Sequence, residues 1–317
     1  MTDIAAIDIG GTHVRFAPAE VEGGRVVSLG EPCTLSTSDY QGLREAWEAF
    51  RGQTGARPAS GAAIAFAGPV GGEVLKLTNN EWVLRPAAIA EELGVDRCTI
   101  VNDFGAVAHA VAHLPDSELR HLAGPDKPLP QEGLISIVGP GTGLGVAMLL
   151  RRGGRNHVIE TEGAHTDFAP LDEVEDRILA FLRQRYGRVS VERVVSGAGL
   201  ANIHEALGAQ RQDQKELWTA ALAGSDAAAA AALDRFCLSL GSAAGDLALA
   251  QGASAMVIAG GLGLRLASHL PRSGFYSRFT AKGRYQDMME AMPIKLITYP
   301  QPGLYGAAAA FAQQYLA

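Results

Sequence analysis

Apolar and polar positions change period several times along the chain, and each change marks an element. Ile4–Ile9 is an apolar run interrupted by a single acid, Asp8, and it stops at Gly10-Gly11-Thr12. Val14–Val21 and Arg25–Leu29 follow, separated by Glu22-Gly23-Gly24, which predicts strand, turn, strand, turn, strand. Beyond Ser38, Leu43, Ala46, Trp47 and Phe50 recur at helical intervals and predict a helix starting at Ser38. Gly61–Ala67 is a second short apolar run, stopped by Gly68-Pro69. Pro86 opens a helix through Leu93 that ends at Gly94. Cys98–Val101 then predicts a buried strand leading to Asn102-Asp103 and a helix from about Gly105. Strands alternating with helices predict an α/β sheet with parallel members.

From Leu134 a second strand–turn–strand unit begins, and a shift of 130 positions lays it over the first. Ile7 falls on Ile137, Gly11-Thr12 on Gly141-Thr142, Ala17 on Ala147, and Gly23-Gly24-Arg25 on Gly153-Gly154-Arg155. Repetition on this scale predicts a duplicated fold. The expected division is a small N-terminal lobe over residues 1–109 and a larger C-terminal lobe over 110–317. Further on, Val174, Ile178, Leu179 and Leu182 form one stripe of a helix over Leu171–Tyr186. Ser225-Asp226 caps a helix that opens with the alanine run Ala227–Ala232. Met256–Ala259 predicts a buried strand ending at Gly260-Gly261. A final helix, 304–315, follows Pro302-Gly303 and is able to return to the N-terminal lobe.

Composition narrows the function. With 27 basic and 34 acidic side chains the net charge is −7, so no general field draws in phosphate backbones, and nucleic acid is disfavoured as a partner. A 47% hydrophobic, 19% charged chain buries a core. No stretch is long and apolar enough to span a membrane, and MTDIAAIDIGG lacks a basic targeting region, so a cytoplasmic protein without a membrane partner is expected. Cys33, Cys98 and Cys237 are too widely spaced for a Cys-based metal site.

Two Gly-Thr turns, one per predicted lobe, suit a phosphate chain, because glycine lets backbone N–H groups approach oxygens and threonine adds a hydroxyl donor. Neither is a P-loop, since the Gly-Lys-Ser/Thr ending is absent. Asp8 reads either as an acid near Mg²⁺ or as a strand-end acid bonded to turn amides. Asn102-Asp103 reads either as a helix cap or as a carboxylate presented at the end of a parallel strand. Glu160, Glu162, His165 and Asp167 lack metal-site spacing and better suit a hydrogen-bonding rim for a polyhydroxylated ligand; Glu192 reads on its own as a surface acid.

The ordered set is more specific than any member. Asp8-Ile9-Gly10-Gly11-Thr12, Leu77-Thr78-Asn79-Asn80-x-Trp82, Asn102-Asp103-Phe104, Gly139-Pro140-Gly141-Thr142-Gly143-Leu144-Gly145, Glu162-Gly163-Ala164-His165-x-Asp167-Phe168-Ala169-Pro170, Glu192-Arg193-x-x-Ser196-Gly197, Gly260-Gly261 and Lys282-Gly283-Arg284 occur in this order. Together they resemble bacterial glucokinases of the proteobacterial type, within the hexokinase, actin and heat-shock-chaperone superfamily. The resemblance spans almost the whole chain. One departure is Ala164, where a second glycine is common. A Cys-rich zinc motif, usual after the sugar-binding histidine in the repressor/open-reading-frame/kinase family, is absent.

The resemblance implies a two-lobed, duplicated actin/hexokinase-like ATPase fold with an interlobe active-site cleft, ATP-dependent phosphorylation of D-glucose to glucose 6-phosphate, and a homodimer. By position, Asp103 would be the general base, and Asn79, Asn102, Asp103, Glu162, His165 and Glu192 would bind the sugar. Asp8, Gly10, Gly11, Thr12, Gly141, Thr142 and Gly143 would face the phosphates, with Gly260 and Gly261 behind the adenosine. Mg²⁺ would arrive with ATP, with no protein metal site and Asp8 in an outer position. The alternatives are a sugar-responsive regulator and an ATPase without a sugar substrate.

Overall fold

The computed structural model describes residues 1–55, 59–77 and 80–317. It divides into two compact units, Met1–Leu114 with Tyr299–Ala317, and Pro115–Thr298.

The first unit opens with β1 (Thr2–Ile9), β2 (His13–Glu22), β3 (Arg25–Leu29) and β4 (Cys33–Ser36), followed by α1 (Leu43–Thr54) and β5 (Gly61–Phe66). A small hairpin of β6 (Leu75–Lys76) and β7 (Val83–Leu84) precedes α2 (Pro86–Leu93), β8 (Arg97–Asn102) and α3 (Asp103–His113). Its sheet runs β3-β2-β1-β5-β8, with β4 also pairing β2. β1 is antiparallel to β2 and parallel to β5.

Alternation along β1 sorts its side chains to two faces. Ala5, Ile7 and Ile9 join Phe16, Trp47 and Phe50 in one core, where the Phe16 and Phe50 rings stack at 5.1 Å. Ile4 and Ala6 join Ala63, Ala65, Leu304, Ala307, Ala308 and Phe311 in the other. That second face is rich in alanine, which lets the last helix, α11 (Pro302–Leu316), lie close to β1, β2 and β5 and against α3. At Gly306 the approach is closest, because any Cβ would run into the Ala106 carbonyl. Asp8 continues the series Ile4, Ala6, and its carboxylate faces Gly303 in the first turn of α11.

The second unit repeats the plan. β9 (Leu119–Ala123), β10 (Gly133–Pro140), β11 (Leu144–Arg152) and β12 (Arg155–Thr161) lead into α4 (Glu173–Tyr186), α5 (Gly197–Ala206), α6 (Gln214–Ala223) and α7 (Ala227–Gln251). Then come β13 (Ala255–Ile258), α8 (Gly260–Arg265), α9 (Phe275–Thr280), α10 (Gln286–Glu290) and β14 (Ile294–Ile297). Its sheet runs β12-β11-β10-β13-β14-β9, so a meander of three strands again continues into two parallel strands, with β9 added at the edge.

The repeat is not a simple shift of 130. In the first hairpin Ile7 pairs Phe16, and in the second Ile137 pairs Ala147. Ala147 therefore takes the place of Phe16, and the expected match of Ala17 with Ala147 does not hold. The second hairpin carries one residue more at its turn. The first carries one more in β2, which runs His13–Glu22 over 10 residues where β11 runs Leu144–Arg152 over 9. The two insertions cancel at Gly23-Gly24 and Gly153-Gly154, whose φ angles of 54° and 74°, and 58° and 72°, are those of tight hairpin turns.

Some boundaries differ from expectation. The helix expected from Ser38 begins at Leu43, because Thr37–Asp39 forms a separate 3₁₀ turn and Gly42 is fully extended. The helix expected from Gly105 begins at Asp103, and that expected from Leu171 begins at Glu173, with Asp172 as its N-cap.

Candidate active site

Each Gly-Thr turn has its carbonyls tied back. In the first, Thr37 Oγ1 and Asn80 Nδ2 donate to the Gly11 carbonyl at 3.0 and 3.2 Å, and Thr37 N–H donates to the Thr12 carbonyl at 3.0 Å. Gly10 N–H is spent inside the turn on the His13 carbonyl. Among the described residues, the N–H groups of Gly11 and Thr12 donate to no protein acceptor. In the second turn Gly141 N–H is spent on the Gly143 carbonyl at 2.8 Å, and the Gly141 carbonyl accepts from Gly197 N–H at 2.7 Å. There the N–H groups of Thr142 and Gly143 stay uncommitted among the described residues. Both threonines are exposed. Braced carbonyls with outward amides are what an anion-binding turn needs, so these residues fit a phosphate chain.

Asp8, next to last in β1, lies opposite Arg15, whose guanidinium is 3.2 Å from its carboxylate. Burial pushes the Asp8 carboxyl above its ordinary value, and Arg15 offsets part of that rise.

β8 delivers Asn102 and Asp103 to the start of α3. Asn102 Oδ1 accepts from Phe104 N–H at 2.9 Å and Gly105 N–H at 3.2 Å, while its Nδ2 donates to the Gly68 carbonyl at 3.1 Å. Asn102 is the cap; Asp103 occupies the first helical position, where a carboxylate is also favoured by the helix dipole. Asp103 Oδ1 accepts from Phe104 N–H as well, at 2.9 Å. Asn79 lies outside the described residues.

In the second unit the expected sugar ligands sit on two chain segments. Glu162 precedes a single 3₁₀ turn, Gly163–His165, which brings His165 Nε2 to 3.8 Å from Glu162 Oε2, both side chains exposed. The segment around Ser190 runs alongside. Phe168 N–H donates to Val189 at 3.0 Å, Val191 N–H donates to Thr166 at 2.9 Å, and Asp167 bridges Ser190. Arg188 clamps the same join, donating to the His165 carbonyl and pairing with the Asp167 carboxylate at 2.8 Å. Two residues beyond Ser190, Glu192 accepts Leu144 N–H on Oε2 at 3.0 Å. A cavity of about 250 Å³ adjoins this join, lined by Thr166, Phe168, Val191, Ser239, Ser242 and Leu247.

Gly260 has φ +79°, and a Cβ there would lie 2.6 Å from the Pro140 carbonyl, so only glycine lets β13 turn into α8 beside the end of β10. Gly261 is exposed, with nothing within 4 Å of where a Cβ would stand. Among the described residues, no group of three or more His, Cys, Asp or Glu side chains is placed to hold a metal ion. Nor is any helix long and apolar enough to cross a membrane. No local sequence pattern singles out Thr37, Asn80 or Arg188 individually. Only Asn80 carried a signal, its place in the Leu77–Trp82 motif.

A family model described as glucokinase matches residues 5–314. The chain belongs to the glucokinase family. A glucokinase of Zymomonas mobilis is 61% identical over 99% of this chain and 98% of its own length. Among solved structures, a glucokinase from an Antarctic psychrotroph is similar at 31% identity and TM-score 0.85, covering 98% of each chain. A glucokinase of the repressor/open-reading-frame/kinase group from Streptomyces griseus, solved with glucose and AMPPNP, aligns at TM-score 0.64 over 98% of this chain and 99% of its own. At 18% identity that likeness concerns the fold alone.

Proposed function

We propose that the chain transfers the γ-phosphoryl group of ATP to the 6-hydroxyl of D-glucose, giving glucose 6-phosphate and ADP. Membership of the glucokinase family supports the reaction. The observation that carries the assignment of roles is that Asn102, not Asp103, caps α3. A cap already supplied by Asn102 supports the catalytic reading of Asp103, whose Oδ1 shares the Phe104 N–H.

In this reading Asp103 takes the proton of the 6-hydroxyl as the new O–P bond forms and the bond to the ADP oxygen breaks. Asn79, Asn102, Glu162, His165 and Glu192 hold the other hydroxyls, as carboxylates and amides suit donors and acceptors on a polyol. The amides of Gly11, Thr12, Thr142 and Gly143 take the phosphates, and Gly260-Gly261 leave room for the adenosine. Asp8 would stand as an outer carboxylate toward Mg²⁺ brought by the nucleotide, which when bound would neutralise phosphate charge. A cytoplasmic homodimer serving glycolysis completes the proposal.

ADP release with a panel of hexoses and phosphoryl donors tests it. The expected result is glucose-dependent turnover, one glucose 6-phosphate per ADP. Equal ADP release without sugar would instead indicate an ATPase.

A further inference from the structure

Glu192 lies at the meeting of two features that the sequence treats separately. Its Oε2 accepts the N–H of Leu144, the residue that closes the Gly141–Gly143 turn. Gly143 makes this possible, because a Cβ on it would stand 2.5 Å from the same oxygen. The turn is held a second time from the same direction, by Gly197 N–H on the Gly141 carbonyl. On its other side Glu192 continues the segment laced to Thr166 and Phe168, beside His165. Among the described residues its Oε1 accepts no hydrogen bond.

We infer that Glu192 serves both substrates: one carboxylate oxygen holds the phosphate-binding turn while the other takes a sugar hydroxyl, so that glucose and nucleotide tighten each other's binding through this side chain. The inference rests on the sugar and phosphate assignments proposed above. A carboxylate accepting one hydrogen bond still swings about its Cγ–Cδ bond. A sugar hydroxyl on Oε1 removes that freedom and fixes the Leu144 N–H, and with it the outward amides of Thr142 and Gly143. The entropy of ordering the turn is then already met when the nucleotide arrives, which is positive coupling without a change of shape. By linkage the effect is reciprocal.

Calorimetry with Mg·AMPPNP, without and with saturating glucose, tests this on the full chain. In the wild type glucose should tighten nucleotide binding by about fivefold or more. Glu192→Ala removes both contacts, so nucleotide affinity measured without any sugar should fall about tenfold, and the coupling should vanish. Glu192→Gln keeps an acceptor oxygen for Leu144 and guards against misfolding of the alanine variant; its sugar-free nucleotide affinity should stay within about twofold of wild type while glucose binding weakens. Unchanged sugar-free nucleotide affinity in Glu192→Ala overturns the inference but leaves the sugar assignment standing. If both variants bind glucose normally, the sugar assignment of Glu192 fails, and the coupling with it.

Discussion

Asp8 and Val138 stand at the same place in two hairpins of the same plan, one residue beyond Ile7 and Ile137 and next to the parallel strands β5 and β13. Asp8 pairs across the hairpin with Arg15; Val138 pairs with Val146 and is fully buried. The hairpin therefore folds with valine there, so the hairpin itself does not require an acid at this place, in keeping with the role proposed for Asp8. The turns differ in a complementary way. The first is braced from Thr37 and Asn80, neutral donors reaching back to carbonyls. The second is braced by Glu192 and Gly197, so the carboxylate lies beside the turn in one copy and beneath it, on β1, in the other. Duplication supplies the scaffold, and the differences mark the chemistry.

If that is right, making the first copy resemble the second should cost activity and add stability. Asp8→Asn keeps an acceptor for Arg15 and should lower kcat by about 10–100-fold, as losing an outer carboxylate near a metal typically does. Because burial raises the folded-state pKa of Asp8, the folded form binds more protons than the unfolded chain once pH exceeds the ordinary value of 3.8. Asp8 thus lowers stability progressively as pH rises from there through its raised pKa, and the penalty persists at neutral pH. The variant should melt slightly higher than wild type at pH 7 and equally at pH 3, as read by thermal scans at both. Lower stability at pH 7 would make Asp8 a structural residue.

A smaller effect should separate the two turns. Gly10→Ala meets only ordinary contact, 3.4 Å from the His13 carbonyl, and should change kcat/KM by less than about threefold. Gly143→Ala forces the Glu192 carboxylate aside, costing a hydrogen bond to a charged group, about tenfold in kcat/KM. Since the far end of a side chain can move, its melting temperature should barely change. Equal kinetic effects at both glycines would mean that the turns are braced alike. The mildest change is Arg188→Ala, which loosens the join between the His165 and Glu192 segments. Steady-state kinetics should show KM for glucose raised a few-fold, with kcat and KM for ATP unchanged, in keeping with an exposed ion pair.

Much of this architecture is legible in the chain. Short apolar runs closed by Gly-Thr, Gly-Gly and Asn-Asp mark strands and their ends, and at Gly23-Gly24 and Gly153-Gly154 the positive φ of both residues is one that few others tolerate. The one-residue offset between the hairpins is not, since an added turn residue and an added strand residue cancel within the same stretch. The bracing contacts are equally hidden: Thr37, Asn80 and Glu192 act on residues 26, 69 and 48 positions away, and no local pattern encodes such pairings. The choice between Asn102 and Asp103 as cap also needed coordinates, because both side chains suit that position.

That choice leads to the most direct measurement. Asp103→Asn preserves size, keeps an oxygen for the Phe104 N–H and leaves the Asn102 cap intact, while the proton acceptor is lost. Kinetics, calorimetry with glucose and a thermal scan on the one variant decide the matter. The account predicts kcat lower by at least about 10², glucose still bound, and a melting temperature within a few degrees of wild type. Near-normal kcat with earlier melting would contradict it and place the base elsewhere.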